Sequence, residues 1–106
     1  MKITGMESTL YAFDLDRLMG DANSPAGRIM GSGCLVELHT DEGLTGLGLG
    51  GGGVRPQMQG MVDPLLVGQD PRRVQGLWKR MIDKHFKGGH DGLANDALAT
   101  LDMALW

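Results

Sequence analysis

Cysteine, excess positive charge and long apolar runs are all scarce in this sequence, and each scarcity excludes a class of protein. The single cysteine, Cys34, rules out an intrachain disulfide framework and predicts a reducing, cytoplasmic compartment. The formal net charge of −3 favours binding to neither nucleic acid nor an anionic membrane. There is no apolar run of about 18 residues and no signal-peptide pattern at Met1–Leu10. A globular domain of ordinary composition remains, with 42% hydrophobic residues.

Glycine is the residue type in clear excess. The 106 residues fit one domain and include 18 glycines, more than twice the usual share of about 7%. These glycines cluster between the periodic segments, which predicts tight turns or mobile lids rather than a fibrous repeat.

Three stretches have the composition and alternation of β-strands. In the second, Cys34, Val36 and Leu38 alternate with polar positions, which is typical of a strand with one face buried. A short reversal at Gly43 leads into the third, so the order predicts an antiparallel meander. The predicted strands are Lys2–Leu15 with a bend near Gly5, Ser32–Thr40 and Leu44–Leu49.

Two helices are predicted next. Apolar residues recur at helical spacing over Val54–Val67, but this helix should end or kink just before Pro64. Asp70 and Pro71 then form a start signal, in which a capping acceptor precedes a proline at the first helical position. The following apolar period predicts a helix of about 16 residues from Pro71.

The segment Asp91–Trp106 predicts a closing helix with Asp91 as its N-cap. No glycine or asparagine cap and no proline follows the helix, and the sequence stops on Trp106. We therefore expect the chain to be the front part of a longer protein; a complete small domain with a frayed last helix is the alternative. The predicted apolar face consists of Ala94, Ala97, Leu98, Leu101, Ala104 and Leu105.

The loop between the first two strands is the first candidate binding segment. It carries Asp21, Asn23 and Ser24, and polar loops held on a rigid scaffold often contact ligands. A solvated hairpin loop is the alternative interpretation. The basic outer face of the second helix is interpreted as solvated.

The glycine run Gly46–Gly53 and the late histidines suggest two other sites, and their context opposes both. The run fits G-x-G-x-x-G with Asp70 about 20 residues on, but no second strand leads to that acid, so a mobile loop is the better account than a dinucleotide site. His85 and His90 lie near Asp91, but their spacing matches no metal-binding helix arrangement, so no metal site is predicted.

In its order of elements the chain resembles the N-terminal capping domain of the enolase superfamily, of the mandelate racemase and muconate-lactonizing type. The fold class implied is α+β: a three-stranded antiparallel meander followed by a bundle of about three helices. The likeness covers residues 1–106, and the (β/α) barrel that normally follows is absent from this chain. The resemblance is carried by Val36–Gly48, Pro64–Val74, the Trp78-containing helix and Ala97–Trp106.

The resemblance implies a cover for an enzyme rather than an enzyme by itself. In this family the barrel holds Mg²⁺ and the acid/base residues that remove a proton α to a carboxylate, while two loops of the capping domain exclude water and contact the substrate. Those loops correspond to about Met19–Gly27 and Leu49–Arg55. Relatives often carry a glutamate after the Gly-x-Gly of the third strand; Leu49 and glycines stand here instead, which leaves the substrate subclass open.

The resemblance therefore predicts the lid of a magnesium-dependent racemase, dehydratase or cycloisomerase, for which an acid sugar is one possible substrate. The expected substrate contacts are Asp21, Asn23, Ser24 and Arg55; no catalytic residue and no metal ligand is assigned to this chain. The expected partners are the barrel domain, a carboxylate substrate and further copies of the enzyme. A self-contained α+β binding or oligomerisation module is the alternative.

Overall fold

The computed structural model describes residues 1–85 and 92–106, and it has the predicted α+β architecture. A three-stranded antiparallel sheet of order β1-β2-β3 is followed by helices that cover one of its faces. Among the described residues, no helix combines the length and apolarity needed to cross a membrane. The strands are β1 (Ile3–Met19), β2 (Arg28–Thr40) and β3 (Thr45–Gly50).

The first two strands are longer than predicted, because they continue past the core as a two-stranded arm. β1 pairs with β2 from Ile3↔Thr40 to Met19↔Arg28, with one irregularity near Gly5, where the bend was expected, and a second between Asp14 and Met19. On the arm, the rings of Tyr11 and Phe13 lie over glycines of β2 with their centroids 6.2 Å apart. An aromatic ring can cover the surface of a glycine on the neighbouring strand. The pairs Tyr11–Gly33 and Phe13–Gly31 therefore help to fix the register of β1 against β2, which glycines without side chains would specify only weakly.

The alternation in β2 separates a buried face of the sheet from an outer face. Cys34, Val36 and Leu38 are each at most 3% exposed and belong to the core. The intervening Glu37 and His39 point to the other side, because successive strand residues face opposite sides. The predicted reversal is also present, with Gly43 at φ +83°, a conformation that costs glycine little.

The regular α-helix α1 (Arg55–Met61) ends before Pro64, as predicted. Residues Val62–Leu66, which include Pro64, form a π-helical turn after it. Proline has no N–H to donate, so the backbone widens here and Val67 N donates to the carbonyl oxygen of Val62 at 2.9 Å. The segment then returns to the sheet, where Gly68 N donates to the carbonyl oxygen of Ile3 at 2.8 Å. This bond fixes the start of β1 against the helical layer.

The predicted helix start at Pro71 is wrong by three residues, because α2 spans Val74–Lys84. The Asp70 carboxylate accepts a hydrogen bond from Arg72 N at 3.0 Å, as a capping residue would. However, it caps an isolated turn, which is closed by the hydrogen bond from Arg73 N to the carbonyl oxygen of Asp70. The side chain of Arg72 pairs with the same carboxylate at 2.7 Å and holds the pKa of Asp70 well below its usual range. This local ion pair favours the turn over the first helical turn that the sequence suggested.

Helix α3 (Gly92–Leu105) lies directly on β3. A Cβ added at Gly46 would overlap the carbonyl oxygen of Ala104, and one at Gly48 would overlap that of Thr100. The glycines of β3 thus allow a helix and a strand to meet at backbone distance. The predicted cap Asp91 lies outside the described residues, as does His90. The helix buries Ala97, Leu98, Thr100, Leu101 and Ala104.

Candidate substrate-facing surface

Arg55 occupies the junction between the second loop and α1, and it is tied to the first strand. Its Nε donates a hydrogen bond to Ser8 Oγ at 2.9 Å, which joins residues 47 positions apart. No further hydrogen bond or ion pair of this guanidinium is found within residues 1–85 and 92–106. The bond to Ser8 therefore fixes the guanidinium plane while its terminal N–H groups remain available to an anionic or hydroxylated ligand.

The surface next to Arg55 is an open depression with apolar and backbone walls. It is lined by Ser8, Leu10, Gly52, Gly53, Arg55 and Pro56, together with Gln59. A Cβ at Gly52 would come within 2.6 Å of the Leu10 side chain, so glycine here keeps the loop close to β1. Such a combination of exposed backbone with one fixed cation suits a small polar ligand that carries negative charge.

The second loop is shorter in the structure than predicted. β3 ends at Gly50, residues Gly52–Val54 form a 3-10 turn, and α1 begins at Arg55. A Cβ at Gly50 would overlap the side chain of Thr100, so this glycine has a packing role besides flexibility. The mobility expected of the loop stays a prediction.

The first loop forms a tight turn whose polar residues bond to one another. Oδ1 of Asp21 accepts bonds from the backbone N–H groups of Asn23 and Ser24, both at 2.9 Å. Asp21 and Ser24 also exchange two backbone bonds of 3.2 Å. The Asp21 carboxylate therefore holds the shape of the turn, and Asn23 and Asp21 remain exposed at the end of the arm.

The structure does not place the four predicted contacts in one site. Arg55 lies beside the middle of the sheet at Ser8, whereas Asp21, Asn23 and Ser24 lie beyond the far end of β1 and do not line the depression at Arg55. The role of all four as substrate contacts stays a prediction. Gly52 and Gly53 belong to the predicted second loop, Leu49–Arg55, and also line the depression. Ser8 was missed, and no local sequence pattern marks it, because its partner is distant in the chain.

The glycine run has no dinucleotide-binding context in the structure. The sheet described in residues 1–85 and 92–106 is wholly antiparallel, so the parallel βαβ unit that this motif requires is missing from it. Asp70, the acid at the expected spacing, pairs with Arg72.

Comparison with known proteins identifies relatives of this fold. The family described as "Mandelate racemase / muconate lactonizing enzyme, N-terminal domain" matches residues 28–106. D-galactarolactone cycloisomerase of Agrobacterium fabrum is 32% identical over 108 residues, covering 100% of this chain and 28% of the relative. D-galactonate dehydratase of Verminephrobacter eiseniae is 37% identical over 82 residues, covering 67% of this chain and 19% of the relative. The chain thus spans less than a third of the length of either relative.

Solved structures agree in fold. The chain superposes on L-talarate dehydratase from Polaromonas sp. JS666, a structure complexed with Mg and L-glucarate, with a TM-score of 0.79 and 27% identity. The match covers 99% of this chain and 31% of that one. The predicted meander followed by helices is therefore confirmed as the N-terminal domain fold of enolase-superfamily enzymes.

Proposed function

Because the chain belongs to the mandelate racemase and muconate lactonizing enzyme N-terminal domain family, we propose that it is the substrate-capping domain of a longer, magnesium-dependent enzyme. The proposed substrate is an acid sugar, since relatives are named for galactonate and galactarolactone. The reaction class is racemisation, dehydration or cycloisomerisation, begun by removal of a proton α to a carboxylate. In this proposal the barrel domain performs the chemistry and residues 1–106 cover it.

The main support for the proposal is the position of Arg55, whose side chain is held by Ser8 at the edge of an open depression. A guanidinium fixed by Ser8 and facing an open depression can bond a carboxylate or sugar hydroxyls at the end of the substrate remote from the reacting carbon. Such remote contacts orient the substrate and help to exclude water when a cover closes. Asp21, Asn23 and Ser24 would contribute from the other loop only when the arm lies over the barrel mouth.

Magnesium belongs to the proposed barrel and not to the described part of this chain. The described residues offer one group of possible metal ligands, Glu7, Glu37 and His39, and it includes an imidazole. Mg²⁺ prefers octahedral oxygen ligands, so this group does not fit it. We also propose a cytoplasmic, homo-oligomeric parent. Buried Cys34 supports a reducing compartment, and half-exposed apolar side chains on the arm, such as Phe13 and Ile29, support contact with another surface.

The alternative of a self-contained binding or oligomerisation module has one observation in its favour. The alanine face of α3 is covered within the chain, since Ala97 and Ala104 are at most 4% exposed. The end of the helix is not covered, because Trp106 is 85% exposed and Met103 is 51% exposed. Sedimentation distinguishes the two ideas: a monodisperse 106-residue chain that binds no apolar dye favours the module.

The experiment that tests the proposal compares the 106-residue chain with the protein encoded when the reading frame beyond the Trp106 codon is included. Each is incubated with Mg²⁺ and a panel of sugar acids, including D-galactonate and galactarate, and product formation is followed by NMR. We expect turnover only for the longer protein. Turnover by the 106-residue chain refutes the proposal, and so does a frame that stops at Trp106.

A further inference from the structure

Three potential metal ligands meet on the outer face of the sheet, away from the surface at Arg55. Glu7 on β1 lies directly opposite Glu37 on β2, and His39 follows Glu37 by two residues, so all three side chains project from the same face. The opposite face of the sheet is the one that α3 covers, and Val36 and Leu38 are buried on that covered face. We call Glu7, Glu37 and His39 the Glu–Glu–His cluster.

The spacing within the Glu–Glu–His cluster would let all three side chains bind one small divalent ion directly. One ligand atom from each residue can be chosen so that all lie within 4.8 Å of one another. His39 Nε2 and Glu7 Oε2 are 3.5 Å apart. Two ligands bound tetrahedrally at about 2.0–2.2 Å are separated by roughly 3.4 Å, so this pair already has the required spacing. Rotation of the exposed glutamate side chains can close the longer gaps.

The imidazole supplies a second, independent observation. His39 Nε2 is inaccessible to solvent and has no hydrogen-bond partner among the described residues, although the side chain as a whole is 33% exposed. The other ring nitrogen, Nδ1, lies 3.2 Å from Thr45 Oγ1. When Nδ1–H donates to Thr45, Nε2 presents its lone pair to the glutamates. A hydrogen bond from one ring nitrogen that orients the other toward the ion is typical of histidines that ligate metals.

Electrostatics also favour a cation here. Like charges directly opposite each other on neighbouring strands destabilise a sheet, and Glu7 and Glu37 are such a pair. The described ion pairs give Glu7 only His39 as a partner and give Glu37 none. A divalent ion between the carboxylates would cancel their repulsion, and it could also be bound by His39 Nε2.

We propose that the Glu–Glu–His cluster binds one divalent transition-metal ion of the zinc type, which joins β1 to β2 on the outer face. Imidazole together with carboxylates suits zinc and its neighbours better than magnesium, which distinguishes this site from the metal of the proposed barrel. Water completes the coordination from the side of Glu7, whose side chain is 74% exposed. The site is independent of the proposed capping function, since it lies on the other side of the sheet.

The test uses the 106-residue chain, in which fifteen described apolar residues form one contiguous core. After dialysis against EDTA, the chain is titrated with ZnCl₂ by calorimetry, and Co²⁺ is followed by visible absorption. We expect one equivalent with micromolar affinity. His39→Gln and Glu7→Gln should each weaken binding at least tenfold, and Thr45→Val should weaken it about tenfold by releasing the ring. Glu42→Gln and His85→Gln are matched controls and should bind as the unmodified chain does.

Three outcomes overturn the proposal. One is the absence of saturable binding to the unmodified chain at millimolar ZnCl₂, which would leave a simple His39–Glu7 ion pair. Another is equal zinc affinity in His39→Gln and the unmodified chain, because the ion would then bind elsewhere. The third is a Co²⁺ absorption spectrum that does not change when the chain is added, because ligation by the cluster would replace water ligands of the ion. Circular dichroism of each variant separates loss of the site from loss of the fold, and Glu37→Gln supplies a second ligand variant if His39→Gln does not fold.

Discussion

The carbonyl oxygen of Thr100 occupies the space that a Cβ at Gly48 would need, so α3 and β3 are in backbone-to-backbone contact. Because a backbone carbonyl cannot rotate away as a side chain can, a larger residue at position 48 must displace the helix. The docking of α3 on the sheet thus depends on glycines that the sequence presents as part of a flexible run.

Gly48→Ala should destabilise the chain by about 2–3 kcal/mol, as overpacking of a close contact does. The matched control is Gly60→Ala in α1, where a Cβ would meet nothing within 4 Å. That substitution should stabilise the chain by about 0.5–1 kcal/mol, because alanine favours helix more than glycine does. Urea unfolding of both variants checks the pair, and a neutral Gly48→Ala would contradict the contact.

Leu101→Ala tests the core on the helix side of the same contact. Leu101 is fully buried, so its truncation should cost about 2–5 kcal/mol through lost burial and the cavity left behind. Leu93→Ala on the same helix is the control, since Leu93 is 55% exposed and its loss should cost under about 0.5 kcal/mol. Thermal unfolding measures both, and similar shifts for the two variants would argue against the packing of α3.

If the proposed capping function is right, Arg55→Ala should raise the KM of the proposed longer enzyme for an acid sugar by about 10–100-fold, because a charge-assisted hydrogen bond contributes about 1.5–3 kcal/mol. Ser8→Ala should raise KM by about 2–5-fold, since the guanidinium remains but is no longer held in place.

Arg80→Ala on α2 removes another exposed arginine and is the matched control for charge; it should leave KM unchanged. Steady-state kinetics on all three variants decides the point. If Arg80→Ala and Arg55→Ala have equal effects, long-range charge rather than contact at Arg55 accounts for them.

The pair Asp70–Arg72 predicts a pH-dependent effect on stability. The hydrogen bonds from Arg72 lower the pKa of Asp70 in the folded chain, so the stabilisation is complete above the unfolded value near 4 and is lost as pH falls through the folded value. Asp70→Asn should therefore lower Tm at pH 7 by about 1–3 °C, because the pair is exposed and weak. The difference from the unmodified chain should shrink below pH 4; a constant difference down to pH 2 would contradict the assignment.

The sequence predicts those features that depend on local chemistry. The alternation of Cys34, Val36 and Leu38 predicts the buried face of β2, and Pro64 predicts the end of α1, because both effects act within a few residues. The start of α2 is mispredicted because Asp70 and Pro71 carry the signature of a cap, yet the ion pair with Arg72 stabilises a separate turn. The distinction depends on side-chain geometry that spacing does not encode.

Contacts between distant residues could not be predicted in this way. Arg55 was identified as a candidate, but its partner Ser8 is 47 residues away. The Glu–Glu–His cluster depends on the register of β1 against β2, since a shift of one residue would place Glu7 on the buried face. The outer ends of the arm, residues 16–19 and 28–31, were predicted as loop because turn formers lie between them, whereas in the structure both belong to strands and the Phe13 ring covers Gly31.

Exchange of the α-proton of D-galactonate in D₂O, measured by NMR with the 106-residue chain and Mg²⁺, tests most directly whether residues 1–106 are a cover without chemistry of their own. We expect no exchange above the protein-free rate for this chain and ready exchange for the proposed longer enzyme at the same concentration. Exchange catalysed by the 106-residue chain would contradict it, because an acid/base centre would then lie within these residues.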